Sequence, residues 1–496
     1  MKQGHLHGTM RRCTVFGLAA ALAGCAVGPN FKHPTPPAPT AYGAASDTSP
    51  TAETATAGGE AQRLNVGQDI PADWWTLFQS PTLNQWVEQA IKANPNMTAA
   101  QAALRQAHEL YLAQRTTYWP LAQGSFSATR SQFASNSIAN PTISTTSTYN
   151  LFTAQLAVSY VPDVFGVNRR TVEAFRAQSQ STRFQLEATY LTLSSNVVVA
   201  AIQEASLRAQ IAATDRLLQV QHELTEKVRR QQTVGTASNL DVLTQEAAEA
   251  QTAATLPPLH KQLNQTRDAL TALLGRLPAD EPSEGVHLSE LTLPVELPLS
   301  VPSKLLEQRP DVRQAEENLH AASAEAGVAL GNMLPQFQIT GDIGSSSLTL
   351  SRIFKTGNGF WDLGASLSQT LFDAGALLHR HRAADAALDQ AGALYRAAVI
   401  TAFQNVADTL HALRDDADAL KANAEAERSA KAAFELAQRQ QQLGTISFVA
   451  VLNAETSYQQ AELALAQAEA NRFSDTAALF QALGGGWWNR SQGPAQ

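Results

Sequence analysis

Cysteine is almost absent: 496 residues contain two, Cys13 and Cys25. Cys13 falls in a segment expected to be removed, which excludes a disulfide within the mature chain and a zinc site of paired cysteines. Charge is also sparse, at 16% of residues with a net charge of −8. Nucleic acid is therefore excluded as a partner, since neutralising phosphates needs a basic surface. Proline does not occur from Val167 to Gln232 or from Ala376 to Gln442, and Gly392 is the one glycine in those stretches. About 66 uninterrupted helical residues would extend roughly 100 Å, a length that crosses a compartment rather than filling a domain.

Catalytic constellations are missing as well. His379 and His381 stand two apart on a predicted helix, where they do not share a face, so they do not form a metal pair. Gly484-Gly485-Gly486-Trp487-Trp488 lacks the strand and helix context of a phosphate loop. Arg414-Asp415-Asp416-Ala417-Asp418 reads as a solvated helix face, with acidic pore lining as the alternative. The chain is not expected to be an enzyme, and neither cofactor nor metal is expected.

Residues 1–24 read as a targeting segment. Arg11 and Arg12 precede an apolar run from Val15 to Leu22, too short to span a bilayer as a helix but suited to a signal-peptide core. Translation could begin at Met1 or Met10. The run ends in Leu22-Ala23-Gly24-Cys25, which resembles a bacterial lipobox: cleavage before Cys25, then N-palmitoyl and S-diacylglycerol groups on it. Several acyl chains on one residue anchor durably where one does not. Ala26, rather than Asp, follows the cysteine and favours the outer membrane. Residues 25–70 are rich in Pro, Ala, Thr and Gly and are expected to form a lipidated, extended tether wrapping over the body.

The remainder is written twice. Asn94-Pro95 matches Arg309-Pro310, Trp119-Pro120 matches Leu334-Pro335, Gly235 matches Gly444, and Leu274-Gly275 matches Leu483-Gly484. The first repeat with its connector is set at 71–301, the second at 302–484, with a tail at 485–496 expected to be poorly ordered. Each repeat contains Gly-Thr-x-Ser, Gly235 to Ser238 and Gly444 to Ser447, inside long helical stretches. Gly closes a helix at positive φ and Ser caps the next, so tips at 233–238 and 442–447 are expected in two helical hairpins.

After Pro120 and Pro335 the period changes to two. Polar residues take alternate positions in Gln123 to Thr129, and apolar ones in Phe152 to Tyr160. Phe337, Ile339, Gly341 and Ile343 alternate with polar neighbours including Asp342, while Trp361, Leu363, Ala365 and Leu367 alternate with Asp362, Gly364, Ser366 and Ser368. Strands are expected at about 121–131, 149–161, 335–349 and 360–372, with the length and alternation of membrane-barrel strands. Four strands cannot close a barrel, so subunits must share one.

Cys25-Ala26-Val27-Gly28-Pro29-Asn30-Phe31, Trp74-Trp75, both helix-opening prolines, Asp163-Val164-Phe165-Gly166, Leu371-Phe372-Asp373-Ala374-Gly375 and both Gly-Thr turns resemble the outer-membrane factor (TolC-like) family. The likeness is to its lipoprotein branch (NodT-like), the outer-membrane channels of efflux systems driven by resistance-nodulation-division (RND) pumps. That resemblance implies a mixed α and β membrane protein: a homotrimeric, twelve-stranded β-barrel continuous with a long α-helical periplasmic barrel. It implies passive conduction of drugs or other small toxic compounds from periplasm to exterior. The partners would be a periplasmic adaptor (membrane fusion protein), an inner-membrane RND-type pump and outer-membrane lipid. Metal-ion export or type I secretion through the same duct is the alternative. The tips, Val234, Gly235, Thr236, Leu443, Gly444 and Thr445, would meet the adaptor. Relatives close at this end, often with acidic rings; the matching positions offer Val449 and Asn453, with Asp241 in the first repeat. Asp241 is equally explained as an acid at a helix N-terminus.

Overall fold

A computed structural model describes residues 27–35, 42, 49–133, 147–283 and 285–490. Its first half runs β1 (Arg63–Val66), α1 (Pro81–Ala93), α2 (Pro95–Arg115), β2 (Leu121–Phe133), β3 (Ser147–Tyr160), α3 (Val167–Thr233), α4 (Asn239–Ala253) and α5 (Leu256–Leu273). Then follow β4 (Glu296–Leu299), α6 (Pro302–Gln308), α7 (Pro310–Gly331), β5 (Gln336–Ser347), β6 (Gly359–Ser368), α8 (Ala376–Gln442) and α9 (Phe448–Ala482). Two compact units result. The first takes in the chain up to His33, Arg105–Ser181 and Ala315–Tyr395; the second takes in Pro34–Leu104, Thr182–Gln314 and Arg396–Gln496.

In the first unit four antiparallel strands form one sheet in the order β2-β3-β5-β6. Directly paired residues share a face and successive residues alternate, so the register assigns every side chain to a side. Gly124, Leu156, Ile343 and Trp361 make one row, and Ala122, Val158, Gly341 and Leu363 make another on the same side. The opposite side carries the row Gln123, Ala157, Asp342 and Asp362. A soluble sheet hides its apolar face on a core; here Ile343, Trp361 and Leu363 are 62%, 78% and 73% exposed. Among the described residues β2 and β6 are open edges. No helix there is long and apolar enough to cross a membrane.

Asp163 and Asp373 turn strand into helix in equivalent ways. Asp163 accepts from the backbone N–H groups of Asn168 and Arg169, at 2.9 Å each. Asp373 accepts from those of Gly375 and Leu377, at 2.9 and 2.7 Å. A carboxylate at the start of each 67-residue helix satisfies otherwise orphaned donors. The turn also shortens β6 against expectation. It stops at Ser368, because the chain must bend toward Asp373 and Gly375, and 369–372 leave the ladder. Asn30 and Phe31 are docked in this unit. Phe31 stacks on His320 at 4.2 Å, and Arg170 donates to Asn30 Oδ1 at 2.6 Å.

The second unit has a dense aromatic core, in which Trp74 stacks on Phe480 at 5.3 Å and Phe78 meets Phe473. The two repeats fasten their hairpins to it alike. Asn94 Nδ2 donates to Leu273 O at 2.9 Å, and Arg309 Nη1 donates to Ala482 O at 3.1 Å. A Cβ on Gly275 would lie 2.5 Å from Ala93 O, and one on Gly484 2.5 Å from Gln308 O, so both positions exclude a side chain.

Two expectations are corrected here, and the extended tether is fastened to the body over 49–66. The buried guanidinium of Arg472 donates to Leu413 O (2.7 Å), Thr51 Oγ1 (3.3 Å), Gly58 O (3.4 Å) and Glu60 O (3.5 Å). Gln62 reaches Pro294 O and Thr476 Oγ1 at 2.9 Å each, and β1 pairs in parallel with β4. Residues 485–490, the described part of the tail, are ordered. Gly484, Gly485 and Gly486 take positive φ, which lets Trp487 donate to Gln308 O at 2.7 Å and pack on Phe184. In the run 414–418, Asp415 and Asp418 are exposed as expected, but Asp416 is half-buried and shares a hydrogen bond with Asp475, whose carboxyl burial and that neighbour push up.

Candidate functional site

The two hairpin tips have the same backbone. Gly235 and Gly444 sit at φ +77° and +72°. Thr236 N donates to Gln231 O and Thr445 N to Gln440 O, at 2.9 and 3.0 Å, closing α3 and α8 with the bond that follows a left-handed glycine. Each threonine hydroxyl adds a second bond to the same carbonyl at 3.0 Å. Ser238 and Ser447 then cap α4 and α9 by accepting from Asp241 N and Ala450 N. A Cβ on either glycine would meet nothing within 4 Å, so positive φ alone calls for glycine there.

What the tips present outward is apolar. Val234 and Leu443 are 73% and 78% exposed, with Leu240 and Val449 behind them at 72% and 52%. Exposed aliphatic side chains collected at the end of a long hairpin mark a contact surface. A groove of about 490 Å³ runs beside them, lined by Val220, Lys227, Arg230, Gln441 and Val451.

Asp241 completes a capping box. Its Oδ2 accepts from Ser238 N and Ser238 Oγ, both at 2.8 Å, and the Ser238 backbone bond holds its carboxyl below the usual range. Within one chain it is thus engaged by its own helix start. Val449 and Asn453 are both exposed and stand one turn apart on α9. Cys25 lies outside the described residues.

Sequence reading missed the way the hairpins are stitched. Hairpin α3–α4 is cross-linked by polar groups: Arg229 to Glu246 at 2.7 Å, and His222 and Thr225 to Glu249 at 3.0 and 2.6 Å. Hairpin α8–α9 is closed by Phe434, Ala437 and Val451, with Phe434 stacked on Tyr458 at 6.0 Å. Glu455, entirely buried between Val451 and Tyr458, was also missed. Its signal was a carboxylate inside an i, i+4, i+7 apolar stripe.

Paired long helices, a sheet oily on one side and unpaired at its edges, and twin hairpin tips describe a channel-forming outer-membrane protein. The family model described as outer membrane efflux protein matches residues 86–276 and 301–485, well over half the chain, and the chain belongs to that family. It is 29% identical to the pyoverdine export outer membrane protein OpmQ of Pseudomonas putida, over 87% of this chain and 92% of that one. It is 28% identical to the toluene efflux pump outer membrane protein TtgF of the same species, over 96% and 97%. The solved outer-membrane channel OprN superposes with a TM-score of 0.83 at 28% identity, covering 93% of this chain and all of that one.

Proposed function

We propose that the chain is one third of an exit duct: three copies close a twelve-stranded barrel and continue it as a helical periplasmic tunnel. The observation that carries this is the sheet. Four strands with one exposed apolar face and two open edges are too few to close alone. Three of them make an even-numbered barrel of ordinary size, with the Asp342 and Asp362 side facing water. The matched repeats 86–276 and 301–485 support an internal duplication.

The duct is passive and conducts drugs or other small toxic compounds outward. Val234-Gly235-Thr236 and Leu443-Gly444-Thr445 meet the hairpins of a periplasmic adaptor, itself bound to an RND-type pump. Val449, Asn453 and Asp241 line the closing end, and Cys25 carries the lipid anchor. A strain lacking the gene is the test, challenged with amphiphilic drugs, dyes, solvents and copper, silver, zinc and cobalt ions. Hypersensitivity to drugs, dyes or solvents, restored by the wild-type gene, is expected. Selective hypersensitivity to metals would transfer the duct to metal export, and an unchanged panel would contradict efflux of these compounds.

A further inference from the structure

On the helices that lead to the hairpin tips, three polar side chains from three helices are sealed from water. Glu455 on α9 is 0% exposed, Gln245 on α4 is 0% and Gln221 on α3 is 2%. Gln245 Nε2 donates to the Gln221 backbone carbonyl at 3.4 Å, and the Gln221 side chain is the polar neighbour of the Glu455 carboxyl. Four oxygens remain without a hydrogen-bond partner: Glu455 Oε1 and Oε2, Gln221 Oε1 and Gln245 Oε1.

All four are acceptors, and the donors at hand are the side-chain amides of Gln221 and Gln245, the latter already given to the Gln221 carbonyl. A protonated carboxyl supplies another, whereas a carboxylate buried without a cation is among the costliest groups a core can hold. The flanking charges are engaged elsewhere. On α3, His222 is paired with Glu249 of α4, and Lys227 reaches Gln441 of α8. From α8 the packing is Phe434 and Ala437, with Glu427 and Glu435 of α8, Glu462 of α9 and Arg216 of α3 acting on Tyr458. Burial accordingly pushes the Glu455 carboxyl up to about 7, against a weak opposing pull from Gln221.

We propose that Glu455, held as a neutral acid beside Gln221 and Gln245, is the lock that keeps α9 of the second hairpin against α3 and α4 of the first. Loss of its proton releases the hairpins, and in the duct reading, on which this role rests, opens the periplasmic end. The proton stays while the three helices exclude water; separation hydrates the carboxyl and returns it to an ordinary acid. Closure and protonation are therefore linked, and raising the pH from about 5 to 8 shifts the balance toward separation by tens of fold.

The test uses the full-length protein in nanodiscs, comparing wild type with Glu455→Gln and, as an apolar filler, Glu455→Met. The infrared carbonyl band of a protonated carboxylic acid should fade with a midpoint near pH 7 in wild type, and that component should be missing from both variants. Amide protection over 448–460, corrected for intrinsic exchange, should fall about tenfold from pH 6 to 8 in wild type. At least one variant should stay protected throughout. Wild-type protection independent of pH, or the same pH dependence in both variants, would overturn the lock. Bilayer conductance recorded alongside separates the two readings. A wild type that conducts at no pH contradicts the duct while exchange still decides the lock; conduction blind to pH contradicts only the lock's role in opening.

Discussion

The two hairpins share a turn and differ in almost everything that holds them closed. Gly235 and Gly444, Thr236 and Thr445, and Ser238 and Ser447 repeat the same bonds. Below the tips, α3 and α4 are joined by Arg229–Glu246 and by His222 and Thr225 on Glu249, all partly exposed except the buried Thr225. Helices α8 and α9 are joined by Phe434, Val451 and Tyr458 around a buried acid. Exposed ion pairs are individually weak and screened by salt, whereas buried apolar contacts are stronger and indifferent to it. The two hairpins keep the same turn while their seams differ, leaving one compliant and the other firm.

The largest break in that comparison should come from Phe434→Ala, which empties an aromatic site at the firm seam. A loss of about 3–5 kcal/mol in α8–α9 protection is expected, read by amide exchange, with α3–α4 little changed. Equal loosening of both hairpins would show that the seams are not separate.

Changing pH should move the hairpins in opposite directions. Burial pushes Glu249 up, but the bonds from Thr225 and His222 outweigh it and hold it below its ordinary 4.5. Its contribution is present above about 4.5 and lost as pH falls through its folded value. Glu455 is raised to about 7, so its contribution is full below about 4.5 and lost as pH rises through 7. That shift is worth about 3 kcal/mol at most. Mild alkali should therefore loosen α9 and spare the α3–α4 seam, and acid below pH 4 should do the reverse, as peptide-resolved exchange would reveal.

Bulky residues at Gly235 and Gly444 test what the tips share. Neither site is crowded, and a side chain at these φ values costs about 1–2 kcal/mol. Trimers should persist while efflux is lost, because the new side chains occupy space kept for a partner; normal efflux would remove the tips from the contact surface. The smallest effect is expected from Arg229→Ala, a slight loosening of the first hairpin that vanishes in high salt. A larger, salt-independent loss would mean that the first hairpin is also firm.

Local chemistry was legible in the sequence. Proline-free stretches gave helices at Val167–Thr233 and Ala376–Gln442, and period-two alternation sorted the strand residues onto the faces that the register shows. Gly-Thr-x-Ser located both tips because a helix stop and a helix cap are written in adjacent residues. What stayed hidden depends on partners far apart in the chain. Composition marks 49–66 as tether, yet Arg472 and Thr476, about 400 residues on, turn it into a strap. Trp487 finds its acceptor at Gln308, and Asp416 its partner at Asp475. Such pairings are set by where long helices cross, which periodicity along one helix does not encode.

The central claim is that this sheet is completed by other copies of the chain. Its most direct test is the mass of the detergent-solubilised protein, with the bound detergent subtracted. A homotrimer, three times the mature chain mass, is predicted. A stable, folded monomer that retains the four strands would contradict the shared barrel and the duct built on it.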